Sequence, residues 1–303
     1  MNKPDMNMKL SRQKSTTSQA GFTLLELMIV CAILAVVLGA VFEGINTVIQ
    51  RSQSEQVKVD LTQSGREFID EFERDLHQAG YPSCKMVATA GVLNNCPADN
   101  TQPLVATNSA VAVGLVHVDN TMVVFEGDVD GNGVVDSVEY KLVDSNGNNP
   151  PLNCPCTLQR NQIPKVGGTN PWGQGPRTFY QELQNVVNSG QPAGTNAYGG
   201  GAPISGSTSW GATNTAYYAA VSTFKDYPVF QAYDQSGNVI AMPADLLAGN
   251  TQILTCGLAN TGCIKSIRLT VNLLANATTG TDLKTGVRPV TTLVGTARLV
   301  NNN

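Results

Sequence analysis

Between Asp5 and Pro82 the chain has no proline, so nothing in that stretch forces a helix to break. Only two histidines, His77 and His117, occur in 303 residues, and no two cysteines stand at Cys-x-x-Cys spacing. Both shortages weigh against a zinc site, which draws on clustered Cys and His. No Gly-rich phosphate loop ending in Lys and no Gly-x-Ser-x-Gly nucleophile turn is present, and neither histidine has an evident catalytic partner, so the chain reads as non-enzymatic. Charge is scarce too: Asp, Glu, Lys and Arg make up 14%, with a net charge of −4. That balance gives no clustered basic surface for a nucleic acid.

One apolar run stands out against this background. Phe22 to Val41 carries a single charge, Glu26, and has about the 20 residues a helix needs to cross a bilayer. A carboxylate inside such a helix costs roughly 2.5–3.5 kcal/mol on insertion scales and usually has a partner. Ordinary secretion signals place the apolar run before the cleavage site and discard it. Here a polar, mostly basic leader (Lys3, Lys9, Arg12 and Lys14 against Asp5) precedes Gly21, and the apolar run follows. A lipoprotein signal ending at Cys31 requires a small residue before it, where Val30 stands. Positive charge before the span and Glu43 just after it predict a cytoplasmic N-terminus and an exported bulk. The order Gly21, Phe22, then Glu26 four residues on resembles the class III signal of type IV prepilins and pseudopilins. The resemblance implies cleavage after Gly21 by a prepilin peptidase and N-methylation of Phe22. It also gives Glu26 a partner, the Phe22 amine of a neighbouring subunit.

The helical pattern runs on to Ala79. Val57, Leu61, Phe68, Phe72 and Leu76 recur at spacings of four, seven, four and four, forming one apolar stripe. Gly80-Tyr81-Pro82 ends it, with Gly as the cap and Pro as the stop. Such a helix is about 87 Å long by its rise. It divides into a membrane half, residues 22–43, and an amphipathic half, residues 44–82, after a leader of residues 1–21. Gly39 and Gly44 are its weak points. The stretch Glu73-Arg74-Asp75-Leu76-His77-Gln78-Ala79-Gly80-Tyr81 is similar to the Arg-Asp-Leu-Arg-x-Ala-Gly-Tyr segment of PilW-type minor pilins. Here, His77-Gln78 departs from the Arg common in that family. The resemblance spans residues 20–82, weakens beyond, and returns where Val271–Leu274 and Leu293–Asn301 look like the family's two closing strands. It implies a subunit that primes or caps type IV pili. Its partners would be other minor and major pilins, the prepilin peptidase and the inner-membrane assembly platform. Type II secretion pseudopilins of the GspJ kind share the signal and plan.

Residues 83–303 read as a β-rich exported domain. Strand-like runs fall at 111–116, 121–126, 134–143, 227–233, 239–242, 264–274 and 293–300, with Val138, Tyr140 and Leu142 on one face. One long helix with several strands predicts an α+β fold, an antiparallel sheet packed on the helix's apolar stripe, in the pilin-like plan. Residues 144–215, rich in Gly, Asn, Pro and Ser, are expected to form a large irregular insertion with a short helix at Thr178–Val187. Their scattered rings (Trp172, Tyr180, Tyr198, Trp210, then Tyr217 and Tyr218) fit either loop anchoring or sugar stacking. Six cysteines outside the membrane helix, Cys84, Cys96, Cys154, Cys156, Cys256 and Cys263, read as disulfide candidates in an exported domain. The simplest pairing is local, Cys84–Cys96 and Cys256–Cys263, and 15 connectivities are open.

Asp128 to Glu139 matches a twelve-residue calcium loop. Asp128, Asp130 and Asn132 supply side-chain oxygens, Val134 a carbonyl, Asp136 a direct or water-bridged contact, and Glu139 a bidentate carboxylate. Gly133 falls at the sharp turn. The flanks read as strands rather than helices, so a plain β-hairpin with good turn residues competes with the ion. A calcium-dependent pilus-tip adhesin is the binding-class alternative.

Overall fold

Helix α1 (Leu24–His77) realises the proline-free stretch as 54 residues of continuous helix. The structure, a computed structural model, describes residues 21, 23–89, 108–151, 154–169, 171, 174–188, 224, 227–245, 263–275 and 289–301. The chain divides into two compact units, Met1–Gln50 and Arg51–Asn303. In the first, α1 is apolar on every side, and an 18-residue window reaches a mean hydropathy of 2.8 with none of it buried. A helix hydrophobic all round suits a lipid environment, and its length and composition are enough to cross a membrane.

In the second unit the same helix becomes amphipathic. Gly65, Phe68, Ile69, Phe72, Asp75 and Leu76 are its buried residues, three or four apart and so on one face. Just past the end of α1, Gly80 turns the chain at φ +80°, a conformation glycine adopts without a Cβ penalty. A short helix, α2 (Cys84–Thr89), follows.

Nine strands are present among the described residues: β1 (Leu115–Val118), β2 (Met122–Gly127), β3 (Asp136–Val143), β4 (Cys156–Pro164), β5 (Tyr180–Val186), β6 (Phe230–Tyr233), β7 (Ala244–Asp245), β8 (Ser266–Leu274) and β9 (Val290–Arg298). All pair antiparallel in one sheet, ordered β6-β8-β5-β4-β3-β2-β1-β7, with β9 on β8. The fold is therefore α+β, a long N-terminal helix followed by an antiparallel sheet domain, as a pilin-like plan requires.

Alternation along β3 sends Val138, Tyr140 and Leu142 into the core. The Tyr140 ring meets Phe72 edge-on at 5.3 Å and Phe68 at 5.8 Å, and Phe72 lies 5.5 Å from Phe230. Aromatic pairs at such separations add about 0.5–1.5 kcal/mol beyond area burial. The closing strand seats on α1 where side chains vanish. A Cβ on Gly295 would overlap Ile69, one on Gly65 would overlap Leu293, and Thr296 N donates to Glu73 Oε1 at 2.8 Å.

Three expectations change. Residues 178–187 hold strand β5, not a helix: Gln and Glu favour a helix only weakly, and pairing with β4 overrides them. The stretch 144–215 also contributes all of β4, which pairs with β3 along its full length. Residues 239–242 form no strand; Val239 makes an isolated bridge to Tyr233.

Candidate functional site

Gly21 is exposed, and Phe22 lies outside the described residues. Thr23 is the N-cap of α1 and Glu26 its third helical residue. Thr23 N and Oγ1 donate to Glu26 Oε2 at 3.0 and 3.1 Å, and Glu26 N donates to Thr23 Oγ1 at 3.3 Å. This reciprocal pair is a capping box, which satisfies two otherwise orphaned backbone donors. Glu26 thus has a partner within its own chain that the sequence reading missed; the Thr-x-x-Glu spacing was the available signal. Cys31 is exposed with a free thiol in the same helix segment.

The Arg74–Tyr81 stretch acquires a physical meaning at the junction of α1 and the sheet. Asp75 is 1% exposed. Its Oδ2 accepts from Tyr140 Oη at 2.7 Å and from Arg160 Nε and Nη2 at 2.9 and 2.6 Å. Leu76 and Ala79 are fully buried. Ala79 bridges to Gly127, Gly80 N donates to the Glu126 carbonyl, and Asp128 N donates to the Tyr81 carbonyl. Gly127 has no room for a side chain, since a Cβ there would overlap the Gln78 carbonyl. Asp75 and its partners Tyr140 and Arg160 were not among the sequence-derived site residues. A carboxylate one position from the apolar stripe was the available signal.

The acidic loop joins β2 to β3. Asp128 Oδ2 accepts from Gly133 N at 3.0 Å, Asp130 Oδ1 and Oδ2 accept from Asn132 N and Nδ2 at 3.1 and 2.7 Å, and Asn132 Oδ1 accepts from Val134 N at 2.7 Å. Gly131 and Gly133 have φ of +71° and +84°, which glycine supplies at turns. Asp136 opens β3 and accepts from Gln162 Nε2 at 2.8 Å. Burial pushes the Asp136 carboxyl up and the charges of Asp130 and Asp128 push the same way, against the Gln162 hydrogen bond and Arg160. Glu139 is separated from this group. Three residues along a strand, it faces the opposite side of the sheet from Asp136, where Arg177 Nε lies 3.2 Å from its Oε2 and Lys141 3.9 Å from its Oε1. Among the described residues, no three His, Cys, Asp or Glu side chains stand ready-gathered to hold a metal ion.

A disulfide joins Cys154 to Cys156. Cys84 and Cys263 are also disulfide-bonded, while Cys96 and Cys256 lie outside the described residues. Of the rings singled out in the sequence, Tyr180 alone lies among the described residues, exposed on β5.

His117 ties β1 to β7. Its Nε2 is 3.0 Å from Asp119 Oδ2 and its Nδ1 3.1 Å from Asp245 Oδ2. Burial alone would lower its pKa, but hydrogen bonds and charge from Asp119, then Asp245, outweigh that and raise it above the ordinary 6.5. The resulting stability is full below pH 6.5 and is lost as pH rises through the folded-state value. Burial would raise Asp119; its bonds to His117 and Thr121 outweigh that and hold it below the ordinary 3.8. Its contribution is present above that value and falls away in acid. The melting temperature is therefore expected to decline from about pH 6.5 upward, and His117→Gln to flatten that decline. An unchanged pH slope in His117→Gln would assign the decline to other groups.

Among known families, the model described as the prokaryotic N-terminal methylation motif matches residues 16–42. The match takes in Gly21, Phe22, Glu26 and the start of α1, and leaves the sheet domain without a counterpart. No curated protein and no solved structure matches the chain. The chain thus carries a prepilin-type signal followed directly by a helix apolar enough to anchor in a membrane.

Proposed function

We propose that this chain is a minor pilin of the PilW type, which primes or caps type IV pilus assembly and carries out no catalysis. The observation that carries the reading is the methylation motif at residues 16–42, continuous with an apolar helix holding one carboxylate. A prepilin peptidase cuts after Gly21 and Phe22 is methylated. Residues 22–43 hold the subunit in the inner membrane with its N-terminus cytoplasmic and its sheet domain exported. The N-terminal helix then packs with other minor and major pilins. The similarity of Arg74–Tyr81 to the PilW-type segment supports the minor-pilin role over a pseudopilin one. Deleting the gene tests the choice: lost piliation with intact secretion supports it, and intact piliation with failed type II secretion overturns it.

The capping box makes a sharper test of Glu26 possible. Glu26→Gln keeps the capping hydrogen bonds, because Gln serves in the same box, but removes the charge. Thr23→Ala keeps the charge and removes the cap, at about 1 kcal/mol. The expected outcome is a several-fold drop in incorporation for Glu26→Gln and near-normal incorporation for Thr23→Ala, read by immunoblot of sheared pili. Equal defects in both would mean that assembly needs the helix cap and not the charge.

A further inference from the structure

We propose that the β2–β3 loop is a calcium site of nine residues closed by Asp136, with Glu139 excluded, and that the ion clamps the loop root onto the C-terminal end of α1. Acidic turns alone are common; the observation that singles this one out is Asp128. It is 5% exposed, one oxygen is taken by Gly133 N inside the loop, and the other, Oδ1, is buried with no hydrogen-bond partner. An unpaired buried carboxylate oxygen is costly, and a hard cation is the ligand that satisfies it best. None of Asp128, Asp130 and Asp136 forms an ion pair with a Lys or Arg among the described residues. Three carboxylates, two in the loop and one at the start of β3, therefore lie together without a direct ion-pair partner among the described residues.

The donor set is Asp128, Asp130, the Asn132 side-chain oxygen, the Val134 carbonyl and Asp136, with water filling the remainder. All are oxygens, and five protein donors in a glycine-bearing loop suit calcium's larger and more flexible shell better than magnesium's tight octahedron. Glu139 belongs to another structure. Its carboxylate is held by Arg177 on the far face of the sheet, and Arg177 also donates to Ser137 Oγ at 2.8 Å and Asn161 Oδ1 at 3.2 Å. The tip, residues 130–134, is exposed, so it is free to tighten around an ion once the Asn132 Nδ2 to Asp130 hydrogen bond yields. The root is not free: Asp128 N bonds to Tyr81, and Glu126 receives Gly80 N. An ion drawing Asp128 and Asp136 together fixes the strand ends that carry those two bonds.

The test uses the full chain in detergent, titrated with CaCl₂ or MgCl₂ by calorimetry and thermal melting. The expected result is one calcium ion per chain, with Kd on the order of 10⁻⁴–10⁻³ M and magnesium at least about tenfold weaker. The melting temperature should climb with ion concentration. Asp128→Asn and Asp136→Asn are each expected to weaken calcium at least about tenfold, and Glu139→Gln to leave it within about threefold. Slower exchange of the Gly80 and Asp128 amides on adding calcium reports the clamp. No binding at about 10 mM calcium, or undiminished binding in Asp128→Asn, overturns the site. Glu139→Gln losing as much as Asp128→Asn overturns the nine-residue donor set. Should Glu139→Gln not fold, Asp136→Asn decides it: full affinity there excludes closure by Asp136. Unchanged amide exchange at saturating calcium overturns the clamp.

Discussion

Replacing Lys165 with Met is expected to destabilise the sheet domain by about 3–5 kcal/mol, measured by urea denaturation of the full chain. Lys165 and Glu126 form an ion pair of 2.5 Å whose side chains are both wholly buried. Lys165 Nζ also donates to the Val111 carbonyl at 2.8 Å, and Glu126 Oε2 accepts from Val113 N at 3.0 Å. Burial pushes Glu126 up and Lys165 down, and each pulls the other back toward its charged form. Taking away the ammonium leaves a carboxylate whose Oε1 already lacks a partner. It must then either stay charged at high cost or bind a proton. The double variant Glu126→Gln, Lys165→Met removes both charges and keeps an acceptor for Val113. It should recover most of the loss, because a buried pair replaced as a whole often costs little. A single-variant cost under about 1 kcal/mol would mean that water reaches this site.

Neither of those residues was legible as a pair. Glu126 ended an apolar run and read as the rim of a strand, while Lys165 lay in a stretch with too little hydrophobic pattern to assign. The same holds for β4, Cys156–Pro164, whose residues Gln159, Arg160, Asn161 and Gln162 carry no apolar alternation. It is a central strand because its polar side chains meet partners from elsewhere in the chain: Arg160 meets Asp75, Gln162 meets Asp136, and Asn161 meets Arg177. Sequence periodicity registers burial of apolar groups and is blind to burial of satisfied polar ones. The helix was legible for the opposite reason. Phe68, Phe72 and Leu76 sit at helical spacing, no proline interrupts them, and a single glycine at φ +80° stops them. The prepilin-type signal was legible because its chemistry is local, and the acidic β2–β3 loop was legible as a set of oxygen donors but not as a geometry. That Glu139 faces away from Asp136 depends on where β3 begins, which a twelve-residue pattern does not encode.

Asp75→Ala is expected to cost about 3–5 kcal/mol as well, and it separates folding from assembly. The carboxylate is the shared acceptor for a phenol and a guanidinium, with Arg160 Nε also 3.0 Å from Tyr140 Oη. Burial first, then the Asp75 charge, holds Tyr140 far above its ordinary pKa, so it stays a neutral donor. Deleting the carboxylate strands the guanidinium, with Glu71 at 3.4 Å as its remaining ion-pair partner, and leaves Tyr140 buried without its acceptor. Asp75→Asn keeps one oxygen and should lose less, so the order wild type, Asn, Ala in denaturation midpoint checks the assignment. Equal midpoints for all three would mean that Glu71 takes over the guanidinium. On the pilin reading, a subunit held by its N-terminal helix transmits load to its sheet through residues 65–81. Asp75→Ala should then lower subunit abundance and piliation together, in proportion, as a fold that no longer survives. Glu26→Gln should lower piliation at unchanged abundance and unchanged melting temperature. On the proposed function, the two carboxylates of this helix carry different burdens: Asp75 fastens the helix to its own sheet, and Glu26 is assigned to contacts with neighbouring subunits.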